Sequence, residues 1–115
     1  MHELSIAEAL IEQVAAELDR AGQRGRVKRL ELAVGRMSGV HCGALRFGLE
    51  LLAPGTVIED ADVSIREPRA VSSCRACGAE TEIDEMVSDC PRCHSPEIAI
   101  ERGRELLLES IELED

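Results

Sequence analysis

From Leu4 to Ala21, apolar side chains recur at helical spacing. Leu4, Ala7, Ile11, Val14 and Leu18 form one stripe, and Glu8, Glu12, Glu17 and Asp19 lie mostly off it. This pattern predicts an amphipathic helix. Ser5, with Glu8 three residues on, fits a capping box near its start, and Gly22 and Gly25 end it. From Val27 to Val34 the period falls to two, with Leu30, Leu32 and Val34 on one face, which predicts a strand followed by a turn over Gly35 to Gly39. Leu45, Leu49 and Leu52 predict a second helix from about His41 to Leu52, with Phe47 and Leu51 widening its inner stripe. Ala53-Pro54-Gly55 breaks that helix. Ala61, Val63 and Ile65 mark a second strand over Asp60 to Arg66, closed by Pro68. A third strand is expected over Glu105 to Glu114, with Leu107, Ile111 and Leu113 facing the core.

Together these elements predict an α+β fold: a small three-stranded sheet with two helices. The segment from Arg69 to Gly103 is left as an insertion between the last two strands. The expected division is residues 1–68 with 104–115 as one domain and 69–103 as the other. Neighbouring antiparallel strands would bring the entry and exit of the insertion together.

The insertion carries the most specific motif in the chain. Cys74-x-x-Cys77 and Cys90-x-x-Cys93 are two matched pairs, and each tight turn sets two thiols on one side. Two such turns complete the tetrahedron of a closed, structural Zn²⁺ site. The twelve residues between the pairs leave room for a short strand, a turn and a return, the build of a zinc ribbon. Gly78 follows the first pair, where a knuckle often requires a positive φ. His94 follows the second pair, either as a ligand in exchange with a thiolate or as an exposed loop residue. Four protein ligands leave no open coordination position, which argues against zinc catalysis. Neither pair heads a helix in a βαβ unit, as a redox pair of the thioredoxin kind would.

Composition narrows the partners. Of 115 residues, 23 are acidic and 13 basic, giving a net charge of −10 and no footprint for nucleic-acid phosphates. Phe47 is the only aromatic residue, too few for base stacking. Residues 1–20 show no signal peptide, and no segment approaches the length of a membrane span. The expected location is cytoplasmic, where thiols stay reduced and serve as ligands.

The chain begins Met1-His2-Glu3. The α-amine of Met1, the amide nitrogen of His2 and the His2 imidazole can close adjacent chelate rings around one metal. The Glu3 amide is a possible fourth donor, and its carboxylate can lend charge. A planar nitrogen set suits Ni(II) or Cu(II) better than Zn²⁺. His41 and Cys42 are candidates for an accessory metal contact, set against a helix-start role for the first and a half-buried apolar role for the second.

Met1-His2-Glu3-Leu4-Ser5-Ile6-Ala7, Gly35-Arg36-Met37-Ser38, Ala44-Leu45-Arg46-Phe47, Gly55-Thr56 and the cysteine pairs occur in one order. Over nearly the whole chain, this set resembles the HypA/HybF family of hydrogenase maturation nickel metallochaperones. The resemblance implies nickel binding at His2, with Glu3 in support, and structural zinc on Cys74, Cys77, Cys90 and Cys93. It further implies delivery of Ni²⁺ to the large subunit of [NiFe] hydrogenase beside the GTPase HypB, with urease maturation proteins as other partners in some members. A homodimer is compatible with the sequence. Such a protein is a metallochaperone and not an enzyme. The alternative is a zinc-ribbon protein-interaction module without nickel transfer.

Overall fold

A computed structural model describes residues 2–114. Helix α1 (Glu3–Arg20) leads into strand β1 (Val27–Val34), helix α2 (Cys42–Leu52) and strand β2 (Asp62–Arg66). Strands β3 (Ala70–Cys74), β4 (Glu80–Ile83) and β5 (Ile98–Glu101) follow, and β6 (Leu106–Leu113) closes the chain. Two three-stranded sheets result, ordered β2-β1-β6 and β4-β3-β5. The first carries both helices, so the α+β expectation holds.

Helix α1 begins at Glu3, two residues ahead of the capping-box serine Ser5. His2 is its N-cap and accepts from the Ile6 N–H at 3.0 Å. Its end is a Schellman turn: Gly22, at φ 68°, donates to the Asp19 carbonyl and Gln23 to that of Leu18. The buried stripe is Ala7, Leu10, Val14 and Leu18. Leu4 is 47% exposed and Ile11 half-buried, because α1 packs on the sheet and α2 together, which turns its buried centre towards Leu10.

The helices meet where Gly48 faces Ala7: a Cβ on Gly48 would lie 3.3 Å from that of Ala7. This approach puts Leu45, Gly48 and Leu49 inside. It leaves Phe47 and Leu51 in solvent, contrary to the widened stripe expected from their spacing. His41 caps α2, its Nδ1 accepting from the Ala44 N–H at 3.0 Å.

In the first sheet β1 is central, parallel to β2 across α2 and antiparallel to β6. The strands entering and leaving the cysteine segment are therefore separated by β1, where neighbours were expected. The β1–β6 register also shifts, since Glu31 pairs with Ser110 and Leu32 with Leu108, so Glu109 is an extra, bulged residue. The bulge resets the alternation, so Leu108 turns inward with Ile111 and Leu113, while Leu107 points out. Freed by the bulge, Glu109 reaches across β1 to Arg66 on β2 at 2.8 Å, on the side of the fully buried Ala33.

The two sheets meet at a narrow junction. Gly35, just after β1, donates to the Glu105 carbonyl at 2.8 Å, Arg36 to Pro68 at 3.0 Å and Met37 to Gly103 at 2.6 Å. The turn after β1 thus ties together both linkers of the cysteine segment. Backbones cross so closely that a Cβ on Gly35 would fall 2.1 Å from the Gly103 carbonyl carbon. One on Gly103, at φ 85°, would fall 2.5 Å from Ala70 Cα.

Candidate metal centre

In the second sheet β3 pairs antiparallel with both β4 and β5. Only one strand, β4, lies between the cysteine pairs, and residues 84–89 are irregular. The expected return strand is supplied after the second pair, by β5.

The two cysteine turns share one hydrogen-bond plan. Cys74 donates its N–H to the Ala79 carbonyl, and its own carbonyl accepts from Gly78 at 3.0 Å. Cys90 does the same with Ser95 at 2.8 Å and His94 at 2.9 Å. The residue after each second cysteine must turn left-handed to complete this plan. Gly78 does so at φ 77° and His94 at φ 65°. His94 thus occupies the glycine position of the second turn, with its imidazole exposed.

Backbone N–H groups also point at sulfur. Cys77 N lies 3.4 Å from Cys74 Sγ, while Arg92 N and Cys93 N lie 3.3 and 3.4 Å from Cys90 Sγ. The Cys93 N–H, then that of Arg92, hold the Cys90 thiol at about 6 against the cost of burial. Cys93 accepts from the Ser95 N–H, which lowers it. Burial and the other three cysteines nevertheless push it up to about 12. Sulfurs this close cannot all ionise unless a cation sits between them.

All four Sγ atoms lie within 4.8 Å of one another. Cys74–Cys93 and Cys77–Cys90 are 3.6 and 3.7 Å apart. A tetrahedron with Zn–S bonds of about 2.3 Å has edges of ~3.8 Å, so the thiols fit zinc. A disulfide needs ~2.05 Å, and all five cysteines are free.

The amino-terminal candidates lie elsewhere. The His2 side chain is exposed and makes no capping bond, and Met1 lies outside the described residues. Glu3 is committed: its carboxylate accepts from the His41 N–H at 2.9 Å. That bond, followed by one from its own N–H, holds its carboxyl below the usual range. The link ties the first residue of α1 to the cap of α2, a long-range pairing that sequence spacing did not signal. His41 uses Nδ1 for its cap, and Cys42 is half-buried with its thiol raised by burial and by Glu67. Among the described residues, the four paired cysteines form the only cluster of three or more potential ligands, so His41 and Cys42 do not join another.

A helix-backed α+β sheet carrying a ribbon with a closed four-thiolate centre defines a small metal-binding protein of the zinc-ribbon class. Residues 1–113 match the model of a family described as HypA, hydrogenase/urease nickel incorporation metallochaperone. The chain belongs to this family. It is 38% identical over 115 residues to the hydrogenase maturation factor HypA of Chlorobium limicola, covering 100% of this chain and 98% of that one. It is 37% identical to the factor of the same name from Chlorobaculum tepidum, covering 99% and 100%. The solution structure of the Ni metallochaperone HypA from Helicobacter pylori has the same fold, with a TM-score of 0.68 at 23% identity over 98% of this chain and 97% of that one.

Proposed function

We propose that this chain carries Ni²⁺ on its amino terminus and delivers it to the large subunit of [NiFe] hydrogenase, working beside a GTPase of the HypB kind in the cytoplasm. Residues 1–68 with 104–115 form the nickel-binding domain, and 69–103 the zinc-ribbon domain. Cys74, Cys77, Cys90 and Cys93 hold a resident zinc whose role is to shape the ribbon. Nickel is cargo, taken by the Met1 amine, the His2 amide and imidazole, and the Glu3 amide. No covalent chemistry is performed on a substrate.

The observation that supports this reading best is the family match running through residue 1, combined with the state of His2. Its carbonyl starts α1, while its imidazole is exposed and makes no capping bond to the helix. Amides in the first turn of a helix have no carbonyl to serve, so a metal can claim them without unwinding α1. The Glu3 carboxylate, already bonded to His41, braces this terminus against α2. Ligands held on a chain end can be surrendered one at a time, as a carrier requires.

The test is Ni²⁺ calorimetry on untagged, zinc-loaded protein. The comparisons are His2→Ala and a form with one extra residue before Met1. Both changes should abolish nickel binding at unchanged zinc content. Equal binding by all three would place the nickel site elsewhere.

A further inference from the structure

Three of the large apolar side chains that the fold leaves in solvent gather on one side of the helix pair: Leu4 at 47%, Leu51 at 57% and Phe47 at 64% exposure. Leu4 lies over Gly48, its Cδ1 3.5 Å from where a Cβ would be. On a helix of 3.6 residues per turn, Ala44, Leu51 and Phe47 stand about 40°, 60° and 100° round from Gly48, all in one sense. The apolar surface is therefore continuous from α1 across Gly48 onto the outer flank of α2. Its most exposed member is the only aromatic residue in the chain.

Among the described residues, Phe47 and Leu51 belong neither to the buried core cluster nor to the apolar side chains packed against it. Leu45 and Leu49 fill the core from the opposite side of α2. A solvent-facing Phe and Leu, four residues apart on a helix, are an anchor pair of the kind that seats in a partner's groove.

The surroundings specify the partner. Glu8, Glu12 and Glu50 on the two helices are exposed, and no cation lies within salt-bridge distance of them among the described residues. The neighbouring Arg46 is turned to the Val63 carbonyl, at 2.6 Å. With a net charge of −10, a second copy of this chain would bring like charge to like. A partner with an apolar groove rimmed by lysine and arginine fits both features.

We infer that the Leu4–Phe47–Leu51 surface docks the protein that takes nickel from His2, through an apolar groove bordered by basic residues. Leu4 follows His2 by two residues, a span of at most ~7 Å, so docking there brings the acceptor within reach of the amino terminus. The inference rests on the delivery reading given above and names its docking face.

The test measures binding to the purified, nickel-free precursor of the hydrogenase large subunit. The proteins compared are the unaltered chain, the double variant Phe47→Ser with Leu51→Ser, and the control Leu107→Ser, from an equally exposed leucine on β6. Both positions in the double variant point to solvent, so its fold and nickel affinity should persist. Its affinity for the precursor should fall about tenfold or more, with the control unchanged. Association of the unaltered chain should slow as salt rises from about 0.05 to about 0.5 M.

Loss of affinity confined to the double variant supports the docking face. Equal binding by all three proteins overturns the face and leaves delivery standing. Equal loss in the control overturns it as well. No binding by the unaltered chain overturns delivery itself, and the face with it. A homodimer of the unaltered chain that Phe47→Ser disperses gives the surface to a second copy and overturns the inference.

Discussion

The helical unit and the cysteine unit are both built on three strands, yet they are held together by different physics. In the first, Leu10, Val14, Leu30, Leu32, Leu45, Leu49 and Ile58 share one buried cluster with their neighbours. Each fully buried aliphatic side chain contributes about 1.5–3 kcal/mol. In the second, the buried aliphatics are Ala70, Val71 and Ile83, beside a buried serine, Ser72. Three small contacts cannot offset the entropy of ordering more than thirty residues, at about 1–2 kcal/mol each. The helical unit is expected to fold on its own apolar surface, and the cysteine unit to depend on a bound metal.

The largest expected effect follows from that contrast. Replacing Cys90 by Ser removes one of four ligands, and structural zinc sites contribute about 10–16 kcal/mol in small metal-folded units. The Cys90→Ser protein should lose zinc and the amide dispersion of residues 70–101, while its helical circular dichroism and the signals of α1 and α2 persist. Helices that melt along with the ribbon would show that the helical unit is not self-supporting. Chelation of the unaltered protein should reproduce the same split.

How legible each unit was in the sequence follows the same division. Two cysteine pairs identify a metal centre because ligand spacing is local and chemically strict. The apolar periodicity located both helices and all three strands of the first sheet. It failed where a long-range event reset the count. Local alternation points Leu107 inward, because nothing local marks the bulge at Glu109 that moves the alternation to Leu108. Spacing adds Phe47 and Leu51 to the inner stripe of α2, because it cannot show that α2 approaches α1 through Gly48. The bond from His41 to Glu3, between residues 38 positions apart, was equally silent. The missing return strand between the cysteine pairs has the same origin, since β3 takes its second partner from beyond Cys93.

The junction offers a way to separate the units without entering either one. Gly35→Ala would drive a methyl into the backbone of Gly103 and Arg104, with contacts of 2.1 to 2.5 Å that no rotamer can relieve. The three bonds that bind the Gly35–Met37 turn to the linkers must then loosen, a cost of roughly 3 kcal/mol by analogy with overpacked sites. Hydrogen exchange should accelerate at Gly35, Arg36 and Met37, with β3 and α1 still protected and zinc still bound. Unchanged protection at those three amides would mean that the crossing yields by a small rigid shift.

The smallest expected effect lies inside the cysteine unit, where the two turns differ at one equivalent residue. Gly78 and His94 both stand at positive φ, and both donate to the carbonyl of the first cysteine of their pair. Glycine adopts that conformation freely, whereas a residue with a Cβ gives up about 1–2 kcal/mol there. Part of this is returned because glycine has more freedom to lose on folding. His94→Gly should therefore raise the zinc-loaded ribbon's thermal midpoint, by an amount equivalent to no more than ~1 kcal/mol. His94→Val should lower it further than that, since a branched Cβ is least tolerated in the left-handed region. The imidazole is exposed and makes no bond in the turn, so its loss should cost nothing that offsets these changes. A glycine variant that melts earlier or binds zinc more weakly would show that the ring itself supports the metal centre, and the two turns would no longer be equivalent.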